Sequence, residues 1–129
     1  MRSTPLISIV DDDESVRDAT EGLINSLGYP AATFASAEEF LNSDRVNDTT
    51  CLITDVQMPG LSGVELQRRL IDQGRPKPTI FVTAFPDDRT RNRVLNAGAI
   101  GYLSKPYSEE SLIECLDTAL SGPAGAVLP

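Results

Sequence analysis

The sequence predicts an α/β fold in which five strand-helix units form one doubly wound parallel sheet. Five short apolar segments alternate with stretches whose apolar residues repeat at helical spacing, which is typical of strands and helices in turn. Glycine, proline and polar clusters separate the segments. Because strands that alternate with helices are joined by crossover connections, the sheet should be parallel and covered by helices on both faces.

The composition is that of one ordinary globular domain. The chain has 129 residues, of which 40% are hydrophobic and 23% are charged, and its formal net charge is -8. This acidity argues against a nucleic-acid surface and suits a cation ligand. The absence of histidine excludes metal sites built on imidazole and Ser-His-Asp hydrolysis. The two cysteines lack metal or redox spacing, and no apolar run has membrane length, so we expect a cytoplasmic domain that does not contact a membrane.

The first strand, residues 6–10, ends in three consecutive aspartates. Apolar residues at helical spacing follow them, and Asp13 is placed to cap that helix by accepting hydrogen bonds from its first free amides. Asp11 and Asp12 are then available for another role.

The second strand, residues 31–34, ends without a chemically active group. Residues 36–39 and 62–65 both have the pattern of a capping box, and we expect them to open the second and third helices.

The third strand, residues 51–54, is an apolar run that ends at Asp55 and is followed by a turn at Pro59 and Gly60. A polar loop over residues 47–50 leads into it. Side chains just past the carboxyl ends of strands line the ligand crevice of an open parallel sheet. We therefore expect the Asp55 carboxylate to be exposed rather than buried.

The fourth strand, residues 79–82, ends at Thr83, and the fifth, residues 100–103, is followed closely by Lys105. The helix between them has a thin apolar stripe. Pro86 precedes that helix and restricts the residue before it to extended conformations, which predicts a late helix start.

The fifth helix has apolar residues at helical spacing up to Leu120, and a stretch rich in glycine and proline follows. This pattern predicts one domain over residues 1–121 and the start of an interdomain linker or a C-terminal tail over residues 122–129.

The candidate chemistry collects at one edge of the predicted sheet, because parallel strands end on the same side. Taken singly, Asp55 is better explained as a turn former or a helix cap, and Thr83 and Lys105 as a strand-end hydroxyl and a surface lysine. A capped acidic turn is the less favoured interpretation of Asp11 and Asp12. Their shared edge favours a site made of Asp11, Asp12, Asp55, Thr83 and Lys105. The second strand contributes nothing and is best placed outside the first, which fits the flavodoxin-like order 2-1-3-4-5.

Three ionised carboxylates at one edge repel each other unless a cation lies among them. Oxygen ligands without histidine or cysteine favour Mg2+ or Mn2+, and Mg2+ binds carboxylates together with a phosphate oxygen. An ionised aspartate is also a nucleophile toward phosphorus. The remaining catalysis is positioning and charge stabilisation by the ion, Lys105 and Thr83.

These motifs resemble those of the receiver domain of two-component response regulators, the CheY-like family. The resemblance is strongest to the FixJ type, which carries a C-terminal helix-turn-helix output domain. It spans about residues 6–120 and rests on four motifs in order, at residues 10–14, 54–60, 82–84 and 105–106.

The resemblance implies a phosphorylation-controlled switch rather than an enzyme with an external substrate. Asp55 would accept a phosphoryl group from a sensor histidine kinase. Asp12, Asp55 and the backbone carbonyl of Gln57 would hold Mg2+, and Asp11 would bind it through water. Thr83 and Lys105 would contact the phosphoryl oxygens, and the bond from Lys105 to the next residue would be cis.

Output is expected from the face formed by the predicted helix four, strand five and helix five. The Thr83 hydroxyl should move toward a bound phosphoryl group and carry the following loop with it. Tyr102 on strand five is either a packed aromatic or a second switch, or both. Charged residues of opposite sign on this face suit pairing across a two-fold axis, so phosphorylation should promote a homodimer. They are Arg89, Arg91, Arg93, Glu109, Glu110 and Glu114.

Two alternatives remain open from the sequence. Residues 9–15 also resemble the phosphatase motif of haloacid-dehalogenase-like enzymes, with Asp11 and Asp13 as the catalytic pair, although the further regions that such enzymes need are not visible. The other alternative is a stand-alone docking receiver that no longer takes phosphate.

Overall fold

The computed structural model describes residues 4–127, with side chains up to residue 121, and shows a parallel sheet in the order β2-β1-β3-β4-β5. This confirms the predicted fold class. The strands are β1 (Leu6–Val10), β2 (Ala31–Phe34), β3 (Thr49–Asp55), β4 (Thr79–Thr83) and β5 (Gly101–Ser104). The helices are α1 (Glu14–Ser26), α2 (Ala37–Leu41), α3 (Gly63–Asp72), α4 (Asp88–Asn96) and α5 (Glu109–Val127).

Two large apolar clusters lie on opposite faces of the sheet, because successive strand residues point to opposite sides. On one face Ile9 and Ile53 pack with residues of α1 and α5, such as Ile24 and Leu112. On the other face the core joins the strands to α2 and α3, and it includes Val10, Leu52, Phe40, Leu66 and Leu70. Both faces of β1 and β3 are therefore covered by core.

The cluster beneath α4 is much smaller. Its buried members are Val56, Phe81 and Val94, and Val94 is the buried residue of α4 itself. This agrees with the thin apolar stripe in the sequence. We infer that α4 is held to the sheet by less apolar burial than the other long helices.

The helix starts follow the predicted capping chemistry. Asp13 accepts hydrogen bonds from the amides of Ser15 and Val16 at the start of α1. Ser62 and Glu65 form the full reciprocal box at the start of α3. At α2 only half of the predicted box forms, since Ser36 accepts from the Glu39 amide but the Glu39 carboxylate accepts from the amide of Ala35.

Two boundaries differ most from the sequence prediction, and β5 is also shifted by one residue, to Gly101–Ser104. The expected loop over residues 47–50 is shorter, because β3 already begins at Thr49, whose hydroxyl lies 2.7 Å from that of buried Ser8. The helix α5 continues to Val127, through residues expected to form a linker. Helix propagation adds one backbone hydrogen bond for each further residue except Pro123, which has no amide hydrogen to donate.

The domain boundary at residues 121 and 122 stays a prediction, and residues 128–129 of the expected tail lie outside the described part of the chain. Within that part, none of the helices combines the length and the apolar character that crossing a membrane requires.

Candidate functional site

Three carboxylates meet where β1 and β3 end. One oxygen from each of Asp11, Asp12 and Asp55 lies within 4.8 Å of the other two. Asp11 is held in place by its backbone, since its amide donates to the Phe34 carbonyl at 3.1 Å and its carbonyl accepts from the Arg17 guanidinium at 2.8 Å. The expected clustering of these three residues at one edge is therefore observed.

Lys105 brings a positive charge into the same cluster. Its Nζ lies 3.0 Å from Oδ2 of Asp11 and 3.3 Å from Oδ2 of Asp55. Its backbone amide donates to the carbonyl of Thr83 at 2.7 Å, and the Lys105–Pro106 peptide bond is cis, as the resemblance implied. Lys105 thus bridges the ends of the first and third strands from the loop after β5.

The prediction that the Asp55 carboxylate is exposed was wrong, because Asp55 is buried. Its residue surface is only 6% exposed, and Asp11 is 2% exposed, whereas Asp12 is exposed. Asp55 is the last residue of β3 and pairs with Val82 of β4, so it lies inside the sheet edge. The loop then returns so closely that a Cβ on Gly63 would lie 2.2 Å from the Asp55 carbonyl oxygen.

Burial and charge act in opposite directions on the ionised groups of this cluster. Burial raises the pKa of Asp55, the Asp11 carboxylate adds to the rise, and the ammonium of Lys105 offsets only part of it. Burial alone would lower the pKa of Lys105, but its hydrogen bond to Asp11 and the attraction of both carboxylates raise it above the ordinary value. Lys105 is therefore held as a cation.

The donor set suits a hard divalent ion. All candidate ligand atoms are oxygens, one of the three carboxylates is open to solvent, and a single lysine faces more than one negative charge. Mg2+ and Mn2+ prefer such ligands, and the ion would remove the remaining repulsion. Gln57 is exposed two residues beyond Asp55, and the role of its backbone carbonyl as a ligand stays a prediction.

Thr83 is fully buried at the end of β4, and its hydroxyl already has partners. Its Oγ1 donates to Oε1 of Gln57 at 2.7 Å and accepts from the amide of Phe85 at 3.0 Å. Sequence reasoning missed the side chain of Gln57. The adjacency of β3 and β4 in the predicted order was the one signal that placed residue 57 near residue 83.

Tyr102 is half-buried on β5 and packs against the small cluster beneath α4. Its hydroxyl accepts a hydrogen bond from the amide of Asp87 at 3.2 Å, and Asp87 is the N-cap of α4. The aromatic ring and its hydroxyl therefore link β5 to the start of α4. Its role as a switch stays a prediction.

Comparison with known proteins identifies a family. The sequence profile of the response regulator receiver domain matches residues 7–117. The chain is 40% identical over 115 residues to response regulator protein TmoT of Ectopseudomonas mendocina, an alignment that covers 89% of this chain and 52% of that protein. It is 32% identical over 114 residues to transcriptional regulatory protein FixJ of Bradyrhizobium diazoefficiens, which covers 88% and 56%. The chain spans about half the length of these curated relatives.

Solved structures agree with this assignment. The crystal structure of FixJ-N superposes with a TM-score of 0.81 at 32% identity, and the match covers 94% of this chain and 96% of that one. The family interpretation drawn from the four motifs is confirmed. The chain belongs to the response regulator receiver domain family.

Proposed function

We propose that this chain is the phosphorylation-controlled switch of a two-component system. In this proposal Asp55 accepts a phosphoryl group from a sensor histidine kinase, and the change at the α4-β5-α5 face controls an output domain, which for relatives named as transcriptional regulators would be a DNA-binding one. The single observation that carries the proposal is the cluster of Asp11, Asp12 and Asp55 with Lys105 at 3.0 and 3.3 Å.

The acceptor step needs little covalent machinery. A carboxylate oxygen of Asp55 attacks phosphorus, the bond from phosphorus to the donor breaks, and the electron pair of that bond leaves with the donor. A divalent ion, when bound, would neutralise phosphoryl and carboxylate charge. Lys105 would keep Asp55 ionised and bind a phosphoryl oxygen, and the Thr83 hydroxyl would donate to another.

The hydrogen bonding of Asp13 disfavours the phosphatase alternative. The carboxylate caps α1, where it accepts hydrogen bonds from the hydroxyl and amide of Ser15 and from the amide of Val16, and these bonds lower the pKa of Asp13. It is not part of the three-carboxylate cluster. A general acid for phosphatase turnover would need the opposite shift, toward a protonated group at neutral pH.

Phosphorylation by a small phosphodonor tests whether Asp55 is the phosphoryl acceptor. We expect acetyl phosphate with Mg2+ to add one phosphoryl group to the protein, as measured by intact mass. Asp55→Asn should abolish the gain because the nucleophile is lost, and a chelator should abolish it in the wild type. Asp13→Asn is the matched control and should still be phosphorylated.

A phosphoryl group that persists in Asp55→Asn, or that forms equally well with a chelator present, would contradict the proposal. Steady release of phosphate from a phosphomonoester, lost in Asp13→Asn, would instead support the phosphatase. A folded wild type that takes no phosphate under any of these conditions would favour the docking receiver.

The proposed response includes a homodimer through the α4-β5-α5 face. The arginines on or beside α4 and the glutamates of α5 named above are exposed, and within the described residues none of them forms an intramolecular ion pair. Arg93 does not belong to this face, because it lines a groove with Arg68 and Ile71 of α3. The pairing across a two-fold axis is therefore proposed between Arg91 and the glutamates of α5.

Sedimentation measures this response. We expect beryllofluoride with Mg2+, which mimics a phosphoryl group on aspartate, to convert monomer to dimer. Charge reversal at Arg91 should weaken the dimer at least tenfold at low salt, whereas Arg68→Glu, on α3, should leave it unchanged. A monomer that persists at high concentration, or a dimer indifferent to the reversal at Arg91, would refute this route.

A further inference from the structure

The Thr83 hydroxyl has only one hydrogen to donate. The amide of Phe85 fills an acceptor position on Oγ1 at 3.0 Å, and the hydroxyl hydrogen points to Oε1 of Gln57 at 2.7 Å. While the hydroxyl donates to Gln57, Thr83 has no hydrogen to donate to a phosphoryl oxygen on Asp55. The two acceptors therefore compete for the same hydrogen.

The backbone before Gln57 is fixed on both sides, which keeps its side chain within reach of Thr83. The amide of Val56 donates to the Val82 carbonyl at 3.0 Å, and the carbonyl of Val56 accepts from the amide of Gly63 at 2.9 Å. The loop thus holds residue 57 beside the end of β4. Among the described residues, the bond from Thr83 is the only hydrogen bond that the Gln57 side chain makes.

We propose that Gln57 is a positioning residue that holds the Thr83 hydroxyl in its unphosphorylated arrangement and opposes its transfer to the phosphoryl group. The inference rests on the proposed function, since it needs a phosphoryl group on Asp55 as the competing acceptor. Gln57 then sets how readily the switch responds, through its side-chain oxygen and separately from any role of its backbone carbonyl.

The magnitudes make Gln57 a modulator of the switch rather than a block. A hydrogen bond to an ionised phosphoryl oxygen is roughly twice as strong as one to a neutral amide. The Thr83 hydroxyl therefore donates preferentially to the phosphoryl group once that group is present. Gln57 is exposed, so water replaces Thr83 as its partner after release. The bond from Thr83 to Gln57 therefore stabilises the unphosphorylated arrangement by about as much as one neutral hydrogen bond. This corresponds to about threefold to tenfold in the equilibrium constant for transfer of the hydroxyl to the phosphoryl group.

A double-mutant cycle on beryllofluoride affinity tests the proposal. Gln57→Met keeps the length of the side chain and removes the acceptor oxygen, and Thr83→Val removes the hydroxyl at nearly constant shape. We expect Gln57→Met to tighten beryllofluoride binding in the presence of Mg2+ by about threefold to tenfold. The same substitution should have no effect in Thr83→Val, and its full effect should return in Thr83→Ser, which retains a hydroxyl.

A second measurement reports the hydroxyl directly. Because the Phe85 amide donates to Thr83 Oγ1, its NMR chemical shift depends on where the hydroxyl lies. In the protein without beryllofluoride, Gln57→Met should move this resonance toward its position in the complex.

An unchanged or weaker affinity in Gln57→Met would overturn the inference. An equal change in the Thr83→Val background would also overturn it, because Gln57 would then act through something other than the hydroxyl. If the wild type bound no beryllofluoride at Asp55, the proposed function would fail as well. If the wild type bound beryllofluoride normally but the double-mutant cycle showed no coupling between Gln57 and Thr83, only the role of Gln57 would be refuted and the proposed function would stand.

Discussion

The half of the sheet around β1 and β3 and the region around α4 differ in how firmly they are packed. Both faces of β1 and β3 are covered by extended apolar clusters that join four helices to the sheet. The α4 region rests on a small cluster around Val94, with the hydroxyl of Tyr102 bonded at the helix start. Large exposed side chains also occur there, and Phe85 in the loop before α4 is 70% exposed.

The position of the candidate chemistry follows this difference. Asp11 and Asp55 stand at the ends of the firmly packed strands. The roles proposed for them, nucleophile and metal ligand, require a fixed geometry. Thr83 stands at the end of β4, between this half and the thinly packed helix. Segments that move in switching come from the least stable parts of a structure. We propose that the β1-β3 half performs the chemistry and that the α4 region responds to it.

Two fully buried valines offer a matched test of the packing difference. Val10 lies in the cluster beneath α2 and α3, and Val94 lies in the small cluster beneath α4. We expect Val10→Ala to reduce the free energy of unfolding by about 2 to 3 kcal/mol, because the surrounding core cannot close the cavity. Val94→Ala should reduce the free energy of unfolding by only about 1 kcal/mol, because α4 can shift to fill the cavity and alanine has the higher helix propensity.

Urea unfolding measures both valine variants. Equal costs, or a larger cost for Val94→Ala, would mean that α4 is as firmly packed as the rest of the sheet. In that case thin packing would not explain why α4 responds to the site.

A smaller effect is expected from Asp55→Asn without metal. Because burial raises the pKa of Asp55, the folded protein holds the proton more tightly than the unfolded chain. The contribution of this carboxyl to stability is thus greatest below the ordinary pKa of 3.8 and is lost as pH rises through the raised value. At neutral pH the neutral amide should be more stable, because it removes a buried negative charge that lies beside the Asp11 carboxylate.

Thermal unfolding with a chelator, followed from pH 3 to pH 8, checks this prediction. The gain of Asp55→Asn should vanish at the acid end, where both side chains are neutral. Added Mg2+ should reverse the order at neutral pH, because the ion binds the wild type more tightly and so stabilises it. If Asp55→Asn were less stable at neutral pH without metal, the attraction between Lys105 and the Asp55 carboxylate would exceed the cost of burying that charge.

Much of the fold was predictable because it depends on local patterns. The alternation of apolar runs with helical spacing, and the polar residues at strand ends, were enough to predict a parallel sheet with Asp11, Asp55, Thr83 and Lys105 at one edge. The lack of any chemical group after the second strand indicated its outer position. Each of these inferences uses residues that are close in sequence or shared geometry of strand ends.

The errors came from contacts between distant segments. The burial of Asp55 depends on distant segments, since its carboxylate lies beside Asp11 and the Lys105 ammonium, and no local pattern reveals those contacts. The bond from Thr83 to Gln57 joins two loops separated by 26 positions, and it depends on side-chain reach. The extension of α5 is a different kind of error, because Gly122 and Pro123 predict the end of a helix and α5 continues to Val127.

Amide hydrogen exchange at short times, with and without beryllofluoride and Mg2+, measures whether the α4 region responds to the site while the β1-β3 half stays fixed. We expect exchange to change from Phe85 through α4 and β5 and to stay the same in α2 and α3, with no change anywhere in Asp55→Asn. Short times are needed because they report local opening rather than the global stabilisation that any bound ligand produces. An equal change in α2 and α3, or an α4 region that does not respond while beryllofluoride is bound at Asp55, would contradict the account.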